Sequence, residues 1–304
     1  MIKSITVVNY KGEELILNLT NPWETGIAVT SIEGLGPVKA TINTSALPTM
    51  DGDLYNSSRL NGRNITMSLR FLGSPDIEAS RYLSYKFFPI KRPLTLIIET
   101  DRRIVETTGY VESNEPSIFS KEEGTSISII CPDAYFYGHG SSYESTFVFS
   151  GITGGFTFAF EDNHTDSPTL TFGEIKIGEP QVMYYSGDAP TGINIKINVL
   201  GAATNIKIYN TISNKTLSID TTALATIAGG PLRAGDLIEI NTVKGSKYAI
   251  LHRDGNIYNI LSALGKNAQW LEMLQGDNIF AYTADTGAVN LSVEISNKFL
   301  FEGV

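Results

Sequence analysis

The chain has 304 residues, of which 42% are hydrophobic and only 18% charged, with a formal net charge of -9. That length allows two sizeable cores. The acidity argues against a Lys/Arg face that grips nucleic-acid phosphates, and the single cysteine, Cys131, excludes an intramolecular disulfide framework or a multi-cysteine metal site.

The amino terminus, Met1-Ile2-Lys3-Ser4-Ile5-Thr6-Val7-Val8, reads directly as an apolar/polar strand and lacks the h-region of a signal peptide. No apolar run approaches the ~18 residues of a membrane span, so the chain is expected to stay in the cytoplasm until it assembles. Val38, Ala40 and Ile42 then alternate with Lys39, Thr41 and Asn43, which predicts a strand with one buried face. From Asn43 to Arg63 no periodicity is visible, yet the segment carries Leu47, Pro48, Met50, Leu54, Tyr55 and Leu60. A long aperiodic stretch is uncommon inside a compact domain. Apolar groups on an extended arm need another surface to bury against, so residues 44–62 are expected to form an arm that packs on a neighbouring subunit.

Ile65, Met67, Leu69 and Phe71 restore the alternation. A helix over about 75–88 follows, with Ser74 as N-cap, Pro75 in the first position, Asp76 and Glu78 at the positive end, and Pro89 as its stop. Its predicted apolar stripe is Ala79, Tyr82, Leu83 and Phe87. Leu94/Leu96/Ile98 and Ile127/Ile129/Cys131 are further strands, and the Gly/Ser cluster Gly138-His139-Gly140-Ser141-Ser142 marks a boundary between domains 1–138 and 139–304. The second domain reads as a run of short strands with turn signals between them, a sandwich or barrel. Among them are Phe156/Phe158/Phe160, Ile193/Ile195/Ile197/Val199, Ile206/Ile208, Ile238/Ile240 and Val289/Leu291/Val293/Ile295, with a short helix predicted near Ile260–Lys266. The fold class is mainly β.

Catalytic chemistry finds little to work with. His139, His164 and His252 are scattered, with the first two expected to be solvated in turns, and the glycine clusters lack the Lys-Ser/Thr of a phosphate loop. Asp51/Asp53 and Glu122/Glu123 do not extend into a calcium-loop ligand series, and Cys131 reads as a small buried hydrophobe. No catalytic residue, metal or cofactor is expected, and the chain is read as a non-enzyme.

The order and spacing of several runs carry a resemblance. In the first half these are Gly34-Leu35-Gly36-Pro37-Val38-Lys39-Ala40, Gly62-Arg63-Asn64-Ile65 through Phe71, the helix Ile77–Phe88, Lys91-Arg92-Pro93-Leu94, and Ile130-Cys131-Pro132-Asp133-Ala134-Tyr135-Phe136-Tyr137-Gly138. In the second they are Trp270-Leu271, Gly276-Asp277-Asn278, Phe280-Ala281-Tyr282 and the final Phe301-Glu302-Gly303-Val304. Together they resemble the distal tail proteins of bacteriophages over nearly the whole chain.

The resemblance implies a first domain like a tail-tube subunit, a β-sandwich or barrel with one flanking helix, and a second, galectin-like β-sandwich. It implies a homo-hexameric ring in the virion, between the tail tube above and the tail-tip or baseplate hub below, with DNA passing through the ring without specific binding. Receptor-binding proteins would attach on the outside, the arm would bridge adjacent subunits, and assembly would take place in the bacterial cytoplasm. The alternative from another class is a carbohydrate-binding tail or adhesin module that recognises the host surface, and a third is a glycan-degrading β-sandwich enzyme. Against a lectin role, Trp270 between Gln269 and Leu271 reads as a buried anchor without polar sugar-binding residues around it, which favours docking.

Overall fold

The computed structural model describes residues 1–48, 51–73, 76–150, 152–154, 173–175 and 180–304. Met50, Ser74, Pro75, Phe156, Phe158, Phe160 and His164 lie outside these residues. The chain divides into two compact units, Met1–Tyr143 together with Leu300–Val304, and Glu144–Phe299.

The first unit contains strands β1 (Ile2–Val8), β2 (Glu14–Asn18), β3 (Ile27–Glu33), β4 (Ala40–Ala46), β5 (Asp53–Leu60) and β6 (Arg63–Phe71). Helix α1 (Ile77–Phe87) and strands β7 (Pro93–Thr100), β8 (Ile104–Pro116), β9 (Gly124–Cys131) and β10 (Phe136–Gly138) follow. The main sheet runs β2-β1-β7-β8-β9-β6-β3, and every pairing in it is antiparallel. The period of two writes its core. Ile5 and Val7, Ile65, Met67, Leu69 and Phe71, Leu94, Leu96 and Ile98, and Ile127, Ile129 and Cys131 are all buried. Each such side chain contributes on the order of 1.5–3 kcal/mol by leaving water.

Helix α1 departs from its predicted stripe. Asp76 is the N-cap, its Oδ1 accepting from the Ala79 N–H at 2.7 Å. The buried face is Ser80, Ser84 and Phe87, whereas Tyr82 is exposed. The two serines suit this face because they are small and their hydroxyls are satisfied, Ser80 donating to Gly26 O (3.1 Å) and Ser84 to Arg81 O (2.8 Å).

The second unit contains β11 (Glu144–Ser150), β12 (Ile152–Gly154), β13 (Gly173–Ile175), β14 (Gln181–Tyr185), β15 (Thr191–Gly192), β16 (Asn194–Val199), β17 (Thr204–Asn210) and β18 (Lys215–Ile219). These are followed by α2 (Thr221–Ala228), β19 (Leu237–Asn241), β20 (Tyr248–Arg253), β21 (Asn256–Asn259), β22 (Glu272–Met273), β23 (Gly276–Thr286) and β24 (Leu291–Lys298). Two larger sheets, β11-β24-β16-β19-β20-β21 and β14-β23-β17-β18, make a β-sandwich. Ile195, Ile197, Ile238, Ile240, Leu251, Val293 and Ile295 fill it from the first, Met183, Ile206, Ile208, Leu217 and Phe280 from the second. Phe149 on β11 meets Tyr282 on β23 edge to face, with ring centroids 6.3 Å apart.

Helix α2 is absent from the sequence expectations. Asp220 caps it by accepting from the N–H groups of Thr222 and Ala223, and Gly229 ends it in the left-handed conformation. The helix expected near Ile260–Lys266 is instead one 3-10 turn, Leu261–Ala263. Sheet pairing takes up the rest of that segment, since Leu264 bridges Ile219 and the Gly265 N–H donates to Ser218 O at 2.8 Å. A buried ion pair ties the α2 exit to the sheet. Arg253 Nε donates to Asp236 Oδ1 at 2.9 Å, and its guanidinium also reaches Ala228 O, Gly230 O and Pro231 O.

The last strand, β25 (Leu300–Phe301), returns to the first unit and pairs with β10, Phe136 opposite Phe301. The Phe301 ring packs edge to face on Tyr143 at 6.0 Å.

Candidate functional site

The arm predicted from Leu47, Pro48, Met50, Leu54, Tyr55 and Leu60 takes a different form from the structureless loop expected. It is a β-hairpin, β4 against β5, in register from Ala40 opposite Leu60 to Ala46 opposite Asp53. Neither strand pairs with any other described strand. Val38, Ala40 and Ile42 therefore do not mark a strand with a buried face, and Ile42 is 62% exposed.

Polar cross-strand pairs hold this ribbon in place of a core. Asn43 Nδ2 donates to Ser57 Oγ at 2.9 Å, Thr44 Oγ1 to Asp53 Oδ2 at 3.1 Å, and Asn56 Nδ2 to Ser45 Oγ at 2.6 Å. Such pairs contribute only about 0.2–1 kcal/mol each, and an isolated two-stranded ribbon is marginal in water.

The register shifts between Asn43 and Thr44, because Asn43 faces Ser57 while Thr44 faces Tyr55. Asn56 is the extra residue of the bulge. Cross-strand partners share a face and neighbours alternate, so the shift places Tyr55 on the face of Ile42 and Ser58. The Tyr55 hydroxyl accordingly lies 2.8 Å from Ser58 Oγ. Ile42 and Tyr55 (60% exposed) form an apolar pair on one face, with Leu60 half-buried at its root. Leu54 is exposed on the opposite face, and Leu47 and Pro48 are exposed next to β4. Of the six predicted residues the hairpin strands carry Leu54, Tyr55 and Leu60, and Ile42, which its alternation with Ala40 marked as core, is exposed on β4.

The hairpin grows from a fixed root. Arg63, the first residue of β6, is 2% exposed. Its Nη1 donates to Gly34 O (2.5 Å) and Gly36 O (2.7 Å), and its Nη2 to Ala134 O and Glu302 O (both 2.8 Å). The guanidinium carbon sits 4.0 Å from the centroid of the Phe136 ring. One planar cation thus joins the β3–β4 connection, the β9–β10 connection and the carboxyl-terminal tail, the multidentate geometry that arginine supplies and lysine cannot. Burial pushes its pKa below the ordinary arginine value.

Glu122 and Glu123 are held by Arg70 (3.0 Å) and Arg81 (3.1 Å). His139, expected to be solvated, contacts Glu106 Oε2 through Nδ1 at 2.7 Å. His252 lies on β20 just before the Asp254-Gly255 turn, 3.4 Å from Glu239. Cys131 is fully buried, and burial raises its thiol pKa. Among the described residues no three or more His, Cys, Asp or Glu side chains converge as a metal site. Trp270 is not the buried anchor expected. It is half-buried and lines a pocket with Lys244, Lys247, Gln269 and Glu272.

Neither a protein-family model nor a curated protein sequence matches the chain. Among solved structures, the Dit protein (gp 19.1) of phage SPP1 aligns over 98% of this chain and 100% of its own, with a TM-score of 0.61 and 12% identity. The chain has the Dit fold. Two chains of phage P2 baseplates in the activated conformation, with Ca and with Sr, align at TM-scores of 0.49 and 0.42 and identities of 13% and 12%. They cover 100% and 97% of this chain, and 100% and 97% of their own. The SPP1 protein is described as a paradigm of the hub adsorption apparatus in phages that infect Gram-positive hosts.

Proposed function

We propose that the chain is a structural component of a phage tail, six copies of which close into a ring between the tail tube and the tail-tip or baseplate proteins. In this reading the first unit surrounds a channel for DNA, the second faces outward to hold neighbouring tail proteins, and assembly takes place in the host cytoplasm before the ring enters the virion. The observation that carries it is the β4–β5 hairpin, a ribbon that pairs with no other described strand and leaves Ile42 and Tyr55 exposed on one face. The full-length Dit fold supports the tail setting. A ring needs a heterologous contact that closes by rotation, and a projecting hairpin laid on the next subunit is such a contact. A net charge of -9 suits a duct through which DNA slides without sticking.

Light scattering over a concentration series tests the proposal. The full-length chain should approach six times its 33.1 kDa subunit mass, and Ile42→Asp/Tyr55→Asp should reduce it to monomers with an unchanged melting curve. A stable trimer, or assembly indifferent to the double substitution, would sink the proposal.

A further inference from the structure

The second unit holds a pocket of about 370 Å³ to which the proposed ring assigns no role. Four separate segments build it: β15, the start of β18, the turn after β19, and the stretch leading into β22. Its lining includes Trp270, Lys215, Lys244, Lys247, Gln269 and Glu272.

The walls are fixed from behind. Thr242 Oγ1 accepts from the Ile193 N–H (2.7 Å) and donates to Leu271 O (2.7 Å), which pins the lysine-bearing turn to the tryptophan-bearing segment. A Cβ on Gly192 would meet both Cα and N of Val243 at 2.4 Å, so the turn lies against β15 backbone to backbone, a contact only glycine permits. Within the turn, the Val243 N–H donates to Asn241 Oδ1 (2.8 Å) and the Ser246 N–H to Val243 O (3.1 Å). The pocket is thus preorganised, which lowers the ordering cost of binding.

Its charge runs against that of the chain. Glu272, the one carboxylate in the lining among the described residues, is neutralised by Lys215. Among the described residues, Lys244 and Lys247 have no carboxylate partner, so the pocket has a surplus of two positive charges in a protein of net charge -9. Lys247 Nζ lies 4.9 Å from the Trp270 ring centroid, which holds one ammonium at the indole. An aromatic plate, the Gln269 amide, and the ammonium groups of Lys244 and Lys247, the second resting at the indole, together select a ligand with an apolar ring face, polar edges and a negative charge. The volume is within the range of small-ligand sites.

We infer that this pocket binds an anionic saccharide, a sugar ring bearing a carboxylate or phosphate, with the ring on Trp270 and the anion drawn by Lys244 and Lys247. The site does not depend on the ring of six. Bare lysines on a surface would take any anion weakly. Here the indole and the fixed turn supply the part that a simple ion cannot use.

The test uses the full-length chain with Trp23→Phe. Trp23 is 61% exposed and lies in the first unit, so the substitution leaves Trp270 as the sole indole reporter. Fluorescence is titrated with glucuronic acid, glucose 6-phosphate, glucose, acetate and inorganic phosphate. Saturable changes with one or both acidic sugars are expected, with glucose roughly tenfold weaker, the loss of one charge-assisted contact. A response to glucuronic acid alone assigns carboxylate sugars as the source, and one to the phosphate ester alone assigns phosphorylated ones. In Lys244→Gln/Lys247→Gln, whose folding is checked by its melting curve, the response should weaken at least tenfold. Added salt should weaken the unsubstituted site more than the double variant. Trp270→Ala, read by saturation-transfer NMR, should lose binding as well. Acetate or inorganic phosphate matching the sugars, no saturable change with any sugar, or full binding by the double variant overturns the inference.

Discussion

Removing the Arg63 guanidinium tests whether the hairpin is held from its root. Arg63→Ala deletes four charge-assisted hydrogen bonds, to Gly34 O, Gly36 O, Ala134 O and Glu302 O, and leaves those carbonyls facing a void beside Phe136. Charged hydrogen bonds contribute about 1.5–3 kcal/mol each, but the substitution also relieves the cost of burying an unpaired cation. The net loss is therefore expected near the 3–5 kcal/mol seen when a buried charged network is broken. For a unit of this size each kcal/mol moves the midpoint by about 2–4 °C, so the first unit should melt roughly 10–15 °C lower. The assay is thermal exposure of Cys131, which is fully buried in that unit and opposite Arg63 in the β6–β9 pairing, read by a thiol reagent. Arg63→Lys should recover less than half of the loss, because three donors on a point cannot span four carbonyls in a plane. A midpoint for Arg63→Ala within about 2 °C of the unsubstituted protein would refute the reasoning, since it corresponds to under ~1 kcal/mol.

Three further outcomes are expected. Cys131 should resist a thiol reagent in the native protein at pH 8 and react fully after denaturation, because burial both shields it and raises its pKa. Gly34→Ala should cost at least about 2 kcal/mol by calorimetry, since Gly34 has φ +84° and a Cβ there would lie 2.1 Å from Asn64 O. Burial pushes the Asp236 carboxyl up, but the hydrogen bonds from Arg253 and the Arg233 N–H outweigh that and hold it below its ordinary 3.8. The folded form thus resists protonation more than the unfolded chain does, so this stability is present above pH 3.8 and lost as pH falls through the lower, folded-state value. The second unit's midpoint should fall on acidification through that window, and Asp236→Asn should be less stable at neutral pH with a shallower acid slope.

Where a strand buries one face, the sequence shows it. The alternations at Ile65–Phe71, Leu94–Ile98, Ile193–Val199 and Val289–Ile295 correspond to strands with their apolar residues buried, except that Val289 is half-buried in a 3-10 turn ahead of β24. The hairpin was legible only as an anomaly, because polar pairs such as Asn43–Ser57 hold it and leave no periodic signature. Helix α2 buries only Thr221, Leu224 and Ala228 over its eight Ala/Thr-rich residues, too short a stripe for an amphipathic search to find, and in α1 satisfied serines take the place of the expected Tyr82. Arg63 was unreadable for a deeper reason. Its partners are backbone carbonyls at 34, 36, 134 and 302, and a carbonyl carries no residue identity. The Trp270 pocket was hidden likewise, since its lysines lie on segments that only the folded sheets bring together.

The path of the chain at the unit boundary has a consequence for inheritance. The second unit begins at Glu144 and ends at Phe299, and its first and last long strands are neighbours, Glu144 opposite Lys298. On the other side of the two crossings, Tyr137 is opposite Leu300 and Phe136 opposite Phe301. Each sheet closes its own hydrogen-bond ladder, so the second unit is a cassette set between two adjacent splice points. Recombination at those points can exchange it for any domain whose outermost strands lie side by side, with no register in the first unit rewritten.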